Sequence, residues 1–221
     1  MSVKKFFYFG VLPALGFQMI GAALYFLWDS GFSQWIYTAT KILLVLWPLL
    51  WLPSIRKHFT AWQSKGGLWV GILLGILELS LIGLVLSFMD LSTLTAVVTE
   101  KAAAFGLLTP AFYILFAIFF SLLHSLLEEY YWRWFVFRGL MLKMNWIPAA
   151  LLGSAAFAGH HYFVLSEFFS LPLTLLFGTA VGVAGFIWCA LYKKYQTLWP
   201  SYISHIFVDA VLMVIGYTIL L

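Results

Sequence analysis

Three short blocks of the 221-residue chain hold residue types that can hydrolyse a bond: Glu128-Glu129-Tyr130-Tyr131-Trp132-Arg133, Phe157-Ala158-Gly159-His160-His161 and His205-Ile206-Phe207-Val208-Asp209. Each lies in or at the end of a long apolar run. An ionisable side chain inside a membrane costs about 2.5–3.5 kcal/mol on insertion scales, so such groups are paired or used. With 3.6 residues per helical turn, Glu129 and Arg133 share a face and can pair. Glu128 is rotated about 100° from its neighbour and points elsewhere. A carboxylate turned toward a bundle interior can take a proton from water. Phe157 and His161 share a face, with the small Ala158 and Gly159 letting a neighbouring helix approach; His160 beside them reads as a packing residue. His205 and Asp209 are again four apart, so the aspartate can orient the imidazole or add a hydrogen-bonding group to the same pocket.

The elements that must position these groups are membrane helices. The chain is 64% hydrophobic and 20% aromatic, with 9% charged residues, and its mean hydropathy is +1.00. A soluble domain carries about 25% charged residues, so the composition predicts an all-α, polytopic transmembrane bundle whose solvent is the lipid bilayer. The net charge is +4, but the basic residues stand singly or in pairs between apolar runs, which excludes nucleic acid as a partner. Cys189 is the sole cysteine, which leaves no intrachain disulfide, cysteine metal cluster or redox pair. Apolar spans fall at about 6–28, 33–53, 67–89, 109–137, 147–166, 172–192 and 199–221, so about seven helices are expected. The first follows Lys4-Lys5 but is too long for a signal h-region and reads as a retained helix.

Orientation follows from lysine and arginine counts. With a cytoplasmic N-terminus, Lys4, Lys5, Arg56, Lys57, Lys65, Arg138, Lys143, Lys193 and Lys194 fall inside and Lys101 outside. Glu128 is ten residues from Arg138, His205 eleven from Lys194 and His161 thirteen from Pro148. At about 1.5 Å per residue, all three lie roughly 15–20 Å from those markers, a common level that favours one polar pocket nearer the cytoplasmic face. The expected organisation is a single membrane domain over 1–221, with a motif-bearing core at 109–215 and three accessory N-terminal helices in 1–89. Asp90 to Gly106 is expected as a short external helix or loop. Gly67, Gly71 and Gly75, and again Gly178 and Gly182, recur every four residues and predict close helix packing. Lys41 and Glu78 are read as a structural pair, and His124, one turn before Glu128, as packing or as support to it.

Two hydrolytic versions fit the residues. In one, Glu128 is a general base activating water that His161 helps to hold, and His205 and Asp209 stabilise the developing oxyanion. In the other, Glu128, His161 and His205 bind zinc, which lowers the pKa of a bound water. No helix carries the two-histidine pattern of soluble zinc proteases. The ordered blocks resemble E-E-x-x-x-R, F-x-x-x-H and H-x-x-x-N/D of the CAAX protease and bacteriocin-processing family (CPBP, also called Abi) of intramembrane proteases, over about residues 109–215. The resemblance implies Glu128 as catalytic base, His161 as its partner on the water, and His205 and Asp209 around the oxyanion, with Glu129, Arg133 and Phe157 in support. Trp134 follows the arginine where many members have glycine. Asp209 replaces the asparagine of the eukaryotic prenyl-protein proteases, which fits a bacterial member in the cell membrane.

The expected activity is cleavage of a peptide or of a lipidated or otherwise membrane-anchored protein. A non-proteolytic scaffold or bacteriocin-immunity protein retaining the pocket is the alternative. Proton-coupled transport also uses buried Glu and His, but it usually comes with internal repeats, and this sequence shows none.

Overall fold

The computed structural model describes residues 2–28, 31–55 and 66–220, and every regular element in them is helical. The elements are α1 (Val3–Leu27), α2 (Gly31–Ile55), α3 (Leu68–Ser87), α4 (Thr95–Ala104), α5 (Pro110–Leu140), α6 (Trp146–Ser166), α7 (Leu171–Tyr195) and α8 (Trp199–Leu220). Prolines in the first turn open α5 and α7, where the missing N–H costs nothing. Gln196 in the left-handed region (φ 54°) closes α7. Of the expected cytoplasmic markers, Arg56, Lys57 and Lys65 lie outside the described residues.

The helical membrane bundle read from composition is what the chain forms. Six helices, α1, α2, α3, α5, α7 and α8, are long and apolar enough to cross a membrane. The seventh expected span is also a helix, α6, and its 21 residues suffice in length, but it is absent from that set. Two adjacent histidines and many small residues lower its hydropathy. Asp90 to Gly106 forms a 3₁₀ turn, Leu91–Leu94, running into α4. The Asp90 carboxylate starts that turn by accepting from the Ser92 N–H at 3.0 Å and the Ser92 hydroxyl at 2.6 Å.

Contacts divide the chain into two interleaved compact units. The first holds residues 1–64 and 127–198, hence α1, α2, the second half of α5, α6 and α7. Here α6 packs on α7 and on α1, and α1 on α2. Backbone carbonyls of α1 collect polar tips from its neighbours: Tyr131 Oη donates to Ala14 O at 2.6 Å and Trp47 Nε1 to Gly10 O at 2.8 Å. These bonds matter inside lipid, where an unpaired polar atom has no water to turn to. The N-terminal helices are thus bonded directly to the motif-bearing segment.

The second unit holds residues 65–126 and 199–221, hence α3, α4, the first half of α5 and α8. Its tightest pair is α3 against α8. A side chain at Gly71 would run into the Pro200 backbone, and one at Gly75 would meet the Phe207 ring at 2.7 Å. Two members of the four-residue glycine row therefore serve close packing. Gly67 serves differently: it takes φ 82° at the start of α3, a conformation that only glycine adopts without strain. Elsewhere α3 presents Trp69, Leu73, Leu77 and Leu84 outward, an apolar surface suited to acyl chains rather than to water.

Candidate active site

The first unit gathers the polar groups of α5 and α6. After Glu129 the helix widens into a π-helical stretch, Tyr130–Phe137, a form that recurs at functional sites. This stretch buries Tyr131, Trp132, Arg133, Phe135, Val136 and Phe137 together. Arg133 is 1% exposed, and its Nη1 lies 2.8 Å from Glu129 Oε1. The guanidinium is held between two aromatic faces, its carbon 4.5 Å from the Phe157 ring centre and 4.8 Å from that of Trp188. A planar, weakly hydrated cation suits such a slot better than an ammonium. Phe157 therefore supports the arginine, and Glu129 is committed to it.

Glu128, also 1% exposed, turns the other way. Its Oε1 lies 3.5 Å from His160 Nε2. The His160 ring is parallel to Trp132, 4° between planes at 6.1 Å, and its centre is 4.0 Å from that of His161. The sequence reading treats His160 as packing; the structure puts it directly on the carboxylate. Adjacent residues on an ideal helix diverge by about 100°, so spacing alone gives no signal that both imidazoles reach one acid.

His161 Nδ1 lies 2.9 Å from Phe157 O. A carbonyl can only accept, so Nδ1 carries the proton, and the neutral ring presents Nε2 as a lone pair. One ligand atom from each of Glu128, His160 and His161 falls within 4.8 Å of the others. Two groups bonded to one tetrahedral water at about 2.8 Å stand roughly 4.6 Å apart, so a single water can reach this set. Two imidazoles and a carboxylate are also a donor set that zinc takes in hydrolases.

Two polar groups of α2, Tyr37 and Lys41, stand together in this unit. Lys41 lies over the Tyr37 ring, 5.1 Å from its centre. Of the two residues read as a structural pair, Glu78 accepts a hydrogen bond from Ser204 within the second unit, and Lys41 lies within the first.

The third motif block lies in the second unit. Asp209 Oδ1 is 3.7 Å from His205 Nε2. Asp209 Oδ2 is 2.6 Å from Ser125 Oγ and 4.0 Å from His124 Nδ1. His124 is thus a neighbour of Asp209. Ser125, which nothing in the sequence marks, supplies the shortest bond to that carboxylate.

A family described as type II CAAX prenyl endopeptidase, Rce1-like, matches residues 110–211. That stretch contains all three motif blocks. No curated protein and no solved structure matches the chain.

Proposed function

We propose that this chain, which over residues 110–211 belongs to the Rce1-like CAAX endopeptidases of the CPBP family, is an endopeptidase working inside the membrane. Its substrate is a peptide or a membrane-anchored protein, cut near the C-terminus in the CAAX manner, with the site nearer the cytoplasmic face of a cell membrane. The observation that carries the reading is the buried Glu128 carboxylate with two imidazoles around it, beside a second glutamate already neutralised by Arg133.

Glu128 takes a proton from water while His161 Nε2 accepts the water's second hydrogen and aims its lone pair. The oxygen attacks the peptide carbonyl, the C–N bond breaks, and Glu128 returns the proton to the leaving amine. The ring of His160 holds Glu128 in place through Nε2. His205 and Asp209 are assigned to the oxyanion by the sequence motif. If the site takes zinc, Glu128, His160 and His161 would hold it, and it would supply a water of lowered pKa.

Glu128→Gln is the direct test, because it keeps shape and removes the base. Purified protein in lipid is given a membrane-anchored peptide ending in a CAAX sequence, and cleavage is followed by mass spectrometry. Cleavage by the wild type and a loss of about 10²–10⁴-fold in E128Q are expected. Equal cleavage by E128Q would remove Glu128 from the chemistry. Elemental analysis of the same active preparation reports whether zinc accompanies it.

A further inference from the structure

Asp209 is 6% exposed and lies on α8, a helix long and apolar enough to cross a membrane. A carboxylate there needs partners within the protein. The spacing of four residues points to His205, but His205 Nε2 stops 3.7 Å from Asp209 Oδ1, beyond hydrogen-bond length. His124 Nδ1 is farther still, 4.0 Å from Oδ2. Among the described residues, the hydrogen bond that this carboxylate does make is with Ser125, whose Oγ is 2.6 Å from Oδ2. Ser125 is fully buried, and its Oγ also lies 2.8 Å from Ser121 O, one turn back on α5. That contact with its own helix holds the serine rotamer, so the hydroxyl meets Asp209 from a fixed position. All five groups belong to the second unit.

We propose that Ser125 is the positioning residue of the oxyanion pair: it fixes the plane of the Asp209 carboxylate, so that Oδ1 stays turned to His205. This rests on the protease reading above, in which the motif assigns His205 and Asp209 to the oxyanion. The last torsion of an aspartate side chain is broad and has no deep well of its own. At 3.7 Å His205 does little to narrow it, and the Ser125 hydroxyl supplies the restraint. A quarter-turn of the carboxyl group would break the bond at Oδ2 and carry Oδ1 off the imidazole. Groups that stabilise a developing charge work because they are aligned before it forms. Ser125 itself touches no substrate and acts through Asp209.

The test measures kcat and KM for the wild type, Ser125→Ala, Asp209→Ala and the double variant, with the membrane-anchored CAAX peptide as substrate. Ser125→Ala removes one oxygen and adds nothing to the packing. Its kcat is expected to fall about 10–100-fold at unchanged KM, because alignment matters in the transition state and not in substrate binding. Asp209→Ala keeps the base Glu128 and so gives the residual rate against which the double variant is read. In that background Ser125→Ala is expected to cost less than about twofold more, since the group it positions is gone. An unchanged kcat in Ser125→Ala would overturn the proposal. So would a loss carried by KM, or an equal loss with and without Asp209, either of which would make the serine a packing residue of α5. Those three results leave the protease reading standing. A wild type that cleaves no peptide would remove that reading, and this proposal with it.

Discussion

Replacing Arg133 with methionine tests whether the core of the first unit is built around an ion pair. The guanidinium is 1% exposed and Glu129 is fully buried, with the two 2.8 Å apart. Removing one partner of such a pair leaves an uncompensated buried charge and costs about 3–5 kcal/mol. The stacking on Phe157 and Trp188 adds up to about 2 kcal/mol, since this cation is desolvated. Methionine recovers part of the packing, so about 3–5 kcal/mol is the expected total. For a chain of this size about 2–4 °C of midpoint accompanies each kcal/mol, which gives a fall of roughly 6–20 °C. The assay is thermal unfolding in detergent for R133M, E129Q and the double variant. The double variant should recover most of the loss, because removing both charges leaves no orphan. Arg133→Lys should fall between, since an ammonium keeps the charge but not the planar fit. An R133M midpoint within about 1 °C of wild type would refute the argument, as would a double variant no better than R133M.

Two further outcomes follow from the packing and from the cap at Asp90. Gly71→Leu should destabilise by about 3 kcal/mol or more, because the new side chain meets the Pro200 backbone, which cannot give way as a side chain would. Gly83→Leu, on the same helix with nothing within 4 Å, should leave the midpoint unchanged and serves as control. At Asp90, the hydrogen bonds from the Ser92 hydroxyl and N–H hold the carboxyl below its ordinary range. A depressed folded-state value means the cap is present above the ordinary carboxylate pKa and is lost as pH falls through the lowered one. Protection of the Ser92 amide, its exchange measured against an unstructured peptide at the same pH, should therefore fall at acid pH in the wild type, and Asp90→Ala should show the lowered protection already at neutral pH.

Much of the fold is written in composition, because lipid requires long, self-satisfied helices. The division of labour between Glu128 and Glu129 was also legible, since adjacent helical residues must diverge and Arg133 stands one turn from only one of them. His160 was not, because its approach to Glu128 depends on how α6 meets the π-helical stretch of α5, which no local spacing encodes. The two histidines beside Glu128 also lower the hydropathy of α6, which is absent from the six helices apolar enough to cross a membrane. Ser125 shows the opposite limit, a common residue whose bond to Asp209 leaves no trace in the spelling of the chain.

The bond from His161 Nδ1 to Phe157 O stays within a single helix. The imidazole is therefore aimed by the backbone of its own helix, one turn back. Surrounding helices can drift or be exchanged to admit a different peptide while the ring keeps the same nitrogen forward. Substrate choice and the aim of this ring can then change independently, a separation that would let one scaffold serve many cargoes.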